Sequence, residues 1–285
     1  MNSFCVFIIS HGRPDKVVTL KTLERCGYTG PLFIVCDNED KTVAQYRSNF
    51  GADKVLVFDK IHYASLVDSC DNFQNRRTTT HARNACFDLA GEHGFEYFLV
   101  LDDDYTSFRF VEFANDGLKR KPIQRMFSRV CDSVLWLLNS SEKIASVCFM
   151  QGGDMVGGEN SQAMKGFYPF RKRKAMNSFF CKTSRRFWFF SRLNEDVNTY
   201  LDGGKVGKVF LTIPEIQLDQ AQTQATSGGM SDAYLASGTY VKSFYTVMIC
   251  PSFAKATFQP QMGRIHHKIA WNNAVPKILD ECHKK

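Results

Sequence analysis

Short apolar runs alternate with helix-spaced segments through the first hundred residues, and this rhythm constrains the fold more than any other feature. Phe4–Ser10 (FCVFIIS), Pro31–Cys36 (PLFIVC), Lys54–Asp59 (KVLVFD) and Phe95–Leu101 (FEYFLVL) are near-continuous apolar runs of strand length. Between them, Asp15–Cys26 carries Val17, Leu20 and Leu23 at helical spacing and closes at Gly27. Val43–Phe50 has the length of a short helix, and Thr78–Gly91 places Ala82, Ala85, Cys86 and Leu89 behind threonines able to cap it. Apolar strands joined by helices over short connections predict an α/β fold: a mostly parallel sheet buried on both faces and flanked by helices. The second half is less regular. It predicts an amphipathic helix over Pro122–Asn139, strands at Ile144–Phe149, Phe210–Gln217 and Tyr245–Cys250, and a terminal helix over Trp271–Cys282. With no repeat and no linker, residues 1–285 read as one domain, with a regular half over 1–110 and an irregular half over 111–285.

In parallel sheets of this kind, ligands bind beyond the carboxyl ends of the strands. His11–Arg13, Asp37 and Asp102–Asp104 all fall at those ends. Three carboxylates in a row repel one another, and such crowding calls for a cation or a donor-rich ligand. Hard oxygen ligands suit Mg2+ or Mn2+, which commonly bind substrate phosphates as well. The plainer alternative is an acidic solvated turn, which the strongly apolar strand immediately before it disfavours.

Several classes drop out. No apolar run approaches the ~20 residues of a membrane span, and the N-terminus leads into a strand without a basic region or cleavage site, so the expectation is an unexported cytoplasmic protein without membrane contact. The ten cysteines contain no C-x-x-C, and Cys5, Cys36, Cys148 and Cys250 lie inside apolar runs, where a thiol acts as a small core residue. The Gly-rich segments at Gln151–Ser161 and Ser227–Ser231 do not join a strand to a helix, which excludes a dinucleotide fingerprint; they read as flexible connectors, with mobile loops that close over a ligand as the alternative. No obligate protein partner is evident.

Asn160–Asn194 is the most unusual stretch. It holds nine basic residues (Lys165, Arg171, Lys172, Arg173, Lys174, Lys182, Arg185, Arg186 and Arg192) and no Asp or Glu, so its +9 exceeds the +7 of the whole chain. Aromatic residues are interleaved, from Phe167 to Phe190. Basic groups neutralise phosphates and aromatic faces stack on bases, so Arg171–Lys174, Lys182, Arg185 and Arg186 are candidate nucleic-acid contacts. The competing reading makes Phe187–Phe190 a buried strand beneath a solvated basic face.

The motifs together resemble a known family. EYFLVLDDDY looks like the DxD segment of GT-A fold nucleotide-sugar glycosyltransferases, and His81-Ala82-Arg83-Asn84 is similar to the A-R-N segment of their family 2 members. FIISHGRP resembles the first-strand loop around the nucleobase, Asp37 the acid after strand two, and Asn194–Val197 the E-D-V motif. The DxD segment, the basic middle and the late Arg264–His267 segment are closer still to the TET/JBP-associated DNA-base glycosyltransferases of bacteriophages.

The resemblance implies a UDP-sugar donor held by His11, Arg13, Asp37, Arg83, Asp102 and Asp103. It implies Mn2+ or Mg2+ on Asp102 and Asp104, with His266 or His267 completing the shell, and Asp196 as general base with Glu195 beside it. The implied acceptor is a hydroxymethylated pyrimidine, foremost 5-hydroxymethylcytosine, in phage double-stranded DNA within the host cytoplasm. A protein or glycan acceptor, and a non-enzymatic DNA-binding protein on a decayed scaffold, are the alternatives.

Overall fold

The computed structural model describes residues 3–114, 117–151, 177–220, 241–260 and 263–274. Its centre is a nine-stranded sheet in the order β3-β2-β1-β4-β8-β7-β9-β5-β6. The four expected strands, β1 (Phe4–Ile9), β2 (Leu32–Asp37), β3 (Val55–Phe58) and β4 (Tyr97–Asp102), form the parallel half. Beyond β4 lie β5 (Tyr105–Ala114), β6 (Gly117–Pro122), β7 (Ile144–Gln151), β8 (Ser178–Lys182) and β9 (Val209–Gln220). Following the ladders across the sheet, seven strands run one way, and β5 and β8 run the other. A separate antiparallel pair, β10 (Ala254–Gln259) and β11 (Arg264–Ile269), stands apart from it.

The apolar runs are continuous because alternate residues enter two different cores. On β1, Val6 and Ile8 join one core while Cys5, Phe7 and Ile9 join the other; on β4, Leu99 and Leu101 oppose Phe98 and Val100 in the same way. The first core is closed by α1 (Val18–Cys26), Tyr46 of α2 (Val43–Phe50) and α5 (Phe127–Asn139), which contributes Phe127, Val130, Val134 and Leu138. The second is closed by α3 (Lys60–Ser65), α4 (Thr80–Glu92) and α6 (Glu195–Lys205), through Tyr63, Ala85, Phe87, Val197 and Leu201. Cys5, Cys36, Cys148 and Cys250 are all buried core residues, the role expected of them.

Three expectations need correction. The expected Pro122–Asn139 helix begins only at Phe127: Pro122 ends edge strand β6 (Gly117–Pro122), because proline and the residue before it resist helical geometry. The strand expected at Tyr245–Cys250 is helical over 241–249. Ser243, Thr246 and Cys250 are buried there while Phe244 and Met248 are exposed, a helical period that the unbroken apolar run conceals. Phe187–Phe190 is irregular chain; Phe187 and Phe189 pack in the second core. The Gly-rich segments lie almost wholly outside the described residues, as does most of the expected terminal helix, of which Trp271–Ala274 is described.

Candidate active site

Strand register fixes which side chains meet at the carboxyl edge. Ile9 of β1 pairs with Val35 of β2 and with Asp102 of β4, so the residues just past Ile9 are level with Asp37 on one side and the acidic triplet on the other. The three acids then do three different things.

Asp103 turns inward and is fully buried. It accepts from the Ser10 hydroxyl and from Arg13 Nε at 2.8 Å, and the Ser10 oxygen is also bonded to Tyr46. Burial pushes its carboxyl up, and Arg13 partly offsets that. Asp103 therefore anchors the β1 loop and presents no oxygen to a ligand. Asp104 accepts from Gln220 Nε2 at 2.9 and 3.1 Å, one residue beyond β9's Asp219. Burial together with Asp102 and Asp103 pushes it up to about 6, since its hydrogen-bond partner is a neutral amide. Asp102 faces the second core's side of the edge and meets Arg83 at 3.1 Å.

Arg83 sits on α4, is 1% exposed, and lies between Asp102 at the end of β4 and Glu195 at the start of α6. Its Nη1 donates to Glu195 Oε1 at 2.7 Å and its Nη2 to Asp102 Oδ1 at 3.1 Å. The guanidinium stacks 5.1 Å from the Phe179 ring and 5.7 Å from Phe189. Asp196 adds a third negative charge in its surroundings. A charge taken wholly out of water needs this degree of compensation. The arginine expected at the donor phosphate is thus enclosed by the site's own acids. Glu195 also accepts from Thr79 Oγ1 at 2.6 Å, and burial pushes its carboxyl up against the pull of Arg83. Asp196 Oδ1 accepts from the Val197 amide at 2.7 Å in the first turn of α6, where acids are favoured.

His11 Nδ1 lies 2.7 Å from Asp37 Oδ2, and buried Lys60 reaches Asp37 Oδ1 at 3.2 Å. Burial alone would raise Asp37; the His11 bond and the Lys60 charge bring it below the usual range. A cavity of about 290 Å3 opens here, lined by His11, Glu39, Lys60 and the segment Gln74–Arg77. A second, of about 310 Å3, shares Gln74, Asn75 and Arg76 and extends past Thr78, Thr80, His81 and Arg192.

The remaining expected residues lie elsewhere. His267 Nδ1 is 3.2 Å from Asn194 Nδ2, behind the start of α6, and the rings of His266 and His267 lie 4.2 Å apart. Neither joins Asp102 and Asp104: among the described residues no cluster of three or more His, Cys, Asp or Glu side chains stands ready for an ion. Lys182 pairs with Tyr97 at the opposite end of β4 from Asp102, near Glu96. Arg185 donates to the carbonyls of Leu138, Ser141 and Ile144, and Arg186 pairs with Asp88 and stacks on Trp188. These three cations are tied into the scaffold and are not brought to the acidic edge. Arg171–Lys174 lie outside the described residues.

Sequence reasoning missed Lys60, Arg76 and Thr79. Lys60 follows β3 at the same edge as Asp37, a signal that was there to use. The Thr79–Glu195 pair spans 116 residues and has no local signature.

The fold, a largely one-way α/β sheet with polar and acidic side chains at its carboxyl edge, is GT-A-like. The structure of S. aureus TarS residues 1–349 in complex with UDP-GlcNAc is similar at TM-score 0.50 and 12% identity, covering 87% of this chain and 65% of that one. Glucosyl-3-phosphoglycerate synthase from Mycobacterium tuberculosis, in complex with Mg2+ and UDP, matches at TM-score 0.49 and 9% identity, covering 94% and 88%. No curated protein matches the sequence. The family model described as TET-Associated Glycosyltransferase matches residues 4–229, and the chain belongs to that family. It is a glycosyltransferase.

Proposed function

We propose that the protein transfers a sugar from a UDP-sugar to a hydroxymethylated pyrimidine, foremost 5-hydroxymethylcytosine, in phage double-stranded DNA, with Mn2+ or Mg2+ as cofactor. The observation that carries this reading is the Glu195–Arg83–Asp102 bridge, which puts the donor-edge acid and the E-D pair against one guanidinium. Family membership supports the DNA acceptor, and the TarS-like fold supports the UDP-sugar donor. The donor half is residues 1–110 and the acceptor half 111–285, within one domain.

The donor set fits a divalent ion. Asp104, raised to about 6 by burial and by the charge of Asp102, and Asp102, 15% exposed beside it, are the residues that would hold the metal. When bound, the ion screens the negative charge that accumulates on the departing diphosphate. His11, Asp37, Lys60 and Arg76 shape the nucleotide cavity. Asp196 takes the proton of the acceptor hydroxyl as it attacks, and Glu195, held through one oxygen by Thr79 and Arg83, keeps that turn of α6 in place. A base hydroxymethyl inside a duplex reaches such an edge by flipping, at a cost of a few kcal/mol. Incubation with UDP-sugars, Mn2+ and hydroxymethylcytosine DNA, followed by digestion and weighing of the nucleosides, is expected to show one added sugar residue. Unchanged nucleosides across a broad donor panel contradict the reading.

A further inference from the structure

Residues 117–129 (GLKRKPIQRMFSR) carry five basic side chains, Lys119, Arg120, Lys121, Arg125 and Arg129, with no Asp or Glu. All five are exposed. They follow edge strand β6 and continue into the first turn of α5, so they share one flank of the sheet beyond β5. Arg25 extends the flank towards the acidic edge: its guanidinium donates to the carbonyl of Thr106 at 3.0 Å, two residues after Asp104.

Two observations separate this surface from an ordinary solvated face. Arg125 holds a left-handed backbone (φ 53), which costs a residue with a side chain energy and is retained mainly where function or packing requires it. The fold accommodates it closely, since a Cβ on Gly27 would lie 2.3 Å from the Arg125 Cα. The result is a guanidinium turned to solvent, and neither Arg125 nor Arg129 has an ion-pair partner among the described residues. Lysines on an edge strand also discourage strand-to-strand aggregation, which would account for Lys119 and Lys121. It does not account for Arg125 and Arg129, which lie past the strand. Within the flank, Arg120 donates to Gln217 Oε1 at 2.9 Å and Lys121 pairs with Glu112 at 3.4 Å, so the distinction from Lys182, Arg185 and Arg186, which are engaged against the scaffold, lies with Arg125 and Arg129.

We infer that this flank, Arg25 with Lys119–Lys121, Arg125 and Arg129, is the surface on which the phosphate backbone of acceptor DNA docks. The inference rests on the DNA-acceptor reading above. Polyanion complementarity carries it: the guanidiniums of Arg125 and Arg129, with no acid paired to them among the described residues, match phosphate geometry and are weakly hydrated. The placement agrees with the chemistry. Lys121, Arg120 and Lys119 of β6 are level with Phe110, Val111 and Glu112 of β5, six to eight residues from Asp104, or ~20–27 Å along a strand. That is the span of ~6–8 nucleotides of one strand, so phosphates flanking an extruded base reach the flank while the base is at the acidic edge.

The test uses the full chain and a hydroxymethylcytosine duplex. Wild type is compared with Lys121→Gln/Arg125→Gln/Arg129→Gln and with Arg171→Gln/Lys172→Gln/Arg173→Gln/Lys174→Gln, by fluorescence anisotropy from 50 to 300 mM salt. Melting temperature and Mn2+-UDP binding are measured alongside. The flank variant is expected to bind DNA about tenfold or more weakly at 0.1 M salt, with the slope of log K against log salt smaller by ~1 per cation removed and UDP binding unchanged. Wild-type affinity and slope in a folded flank variant overturn the surface assignment and leave the acceptor reading standing, as does a loss confined to the 171–174 variant. Should the flank variant fail to fold, Arg129→Gln alone is read by the same slope. Absence of DNA binding by wild type overturns the acceptor reading and the surface with it.

Discussion

Arg83 and Glu195, 112 residues apart in sequence, meet at 2.7 Å in the interior, and the same guanidinium holds Asp102. Removing one partner of a buried charge pair leaves the other uncompensated and typically costs ~3–5 kcal/mol. Arg83→Gln is therefore expected to lower unfolding free energy by about that amount in urea titrations. Arg83→Lys is expected to recover less than half, because one ammonium does not reproduce a two-pronged fork. Near-wild-type stability in Arg83→Gln would show that the bridge carries no structural weight.

Asp196 and Glu195 are expected to fail differently. Asp196→Asn removes the proton acceptor and should reduce kcat by ~100- to 10,000-fold with little change in donor KM. Glu195→Gln disturbs the Arg83 bridge and should lower stability as well as kcat. Equal stability losses in the two, or a full kcat in Asp196→Asn, would remove Asp196 from the base role.

His81 supplies a pH dependence. It is 5% exposed, and burial, with Lys60 nearby, pushes its imidazole down to about 4. Its folded-state pKa is depressed, so the stabilisation is fully present above ~6.5 and is lost as pH falls from there towards 4. Relative to His81→Gln, wild type should lose ~2 kcal/mol between pH 7.5 and 5. Parallel stability curves for the two proteins would mean that His81 takes up its proton while folded.

Gly27 ends α1 with φ 79, and a side chain there would run into the Arg125 backbone. Gly27→Ala should cost more than the ~1–2 kcal/mol of left-handed strain alone, because backbone cannot swing aside as a side-chain tip does. A melting temperature within a degree of wild type would show that this crossing is loose.

The parallel half of the sheet and its acidic edge were legible because they are written locally. Period-free apolar strands, a Gly27 stop and Asp102–Asp104 after β4 each need only neighbouring residues to be read. The roles within the triplet were not legible, since Asp103 is assigned to the core by Ser10, Tyr46 and Arg13, contacts up to 93 residues away. Likewise, Arg83 looks like a phosphate ligand until Glu195 is placed beside it. Net charge drew attention to the stretch around Arg185, but its guanidinium satisfies carbonyls at the end of α5, a use that composition does not distinguish from surface display. The 241–249 helix was hidden by an apolar run whose exposed members, Phe244 and Met248, break the strand pattern only in three dimensions.

Calorimetry of UDP binding with and without Mn2+, on wild type and Asp104→Asn, bears most directly on the acidic edge. The account predicts tight binding by wild type only when Mn2+ is present, and loss of that metal-dependent part in Asp104→Asn with the fold intact. Equal UDP affinity with and without Mn2+, or an Asp104→Asn variant that keeps the full metal effect, would contradict it.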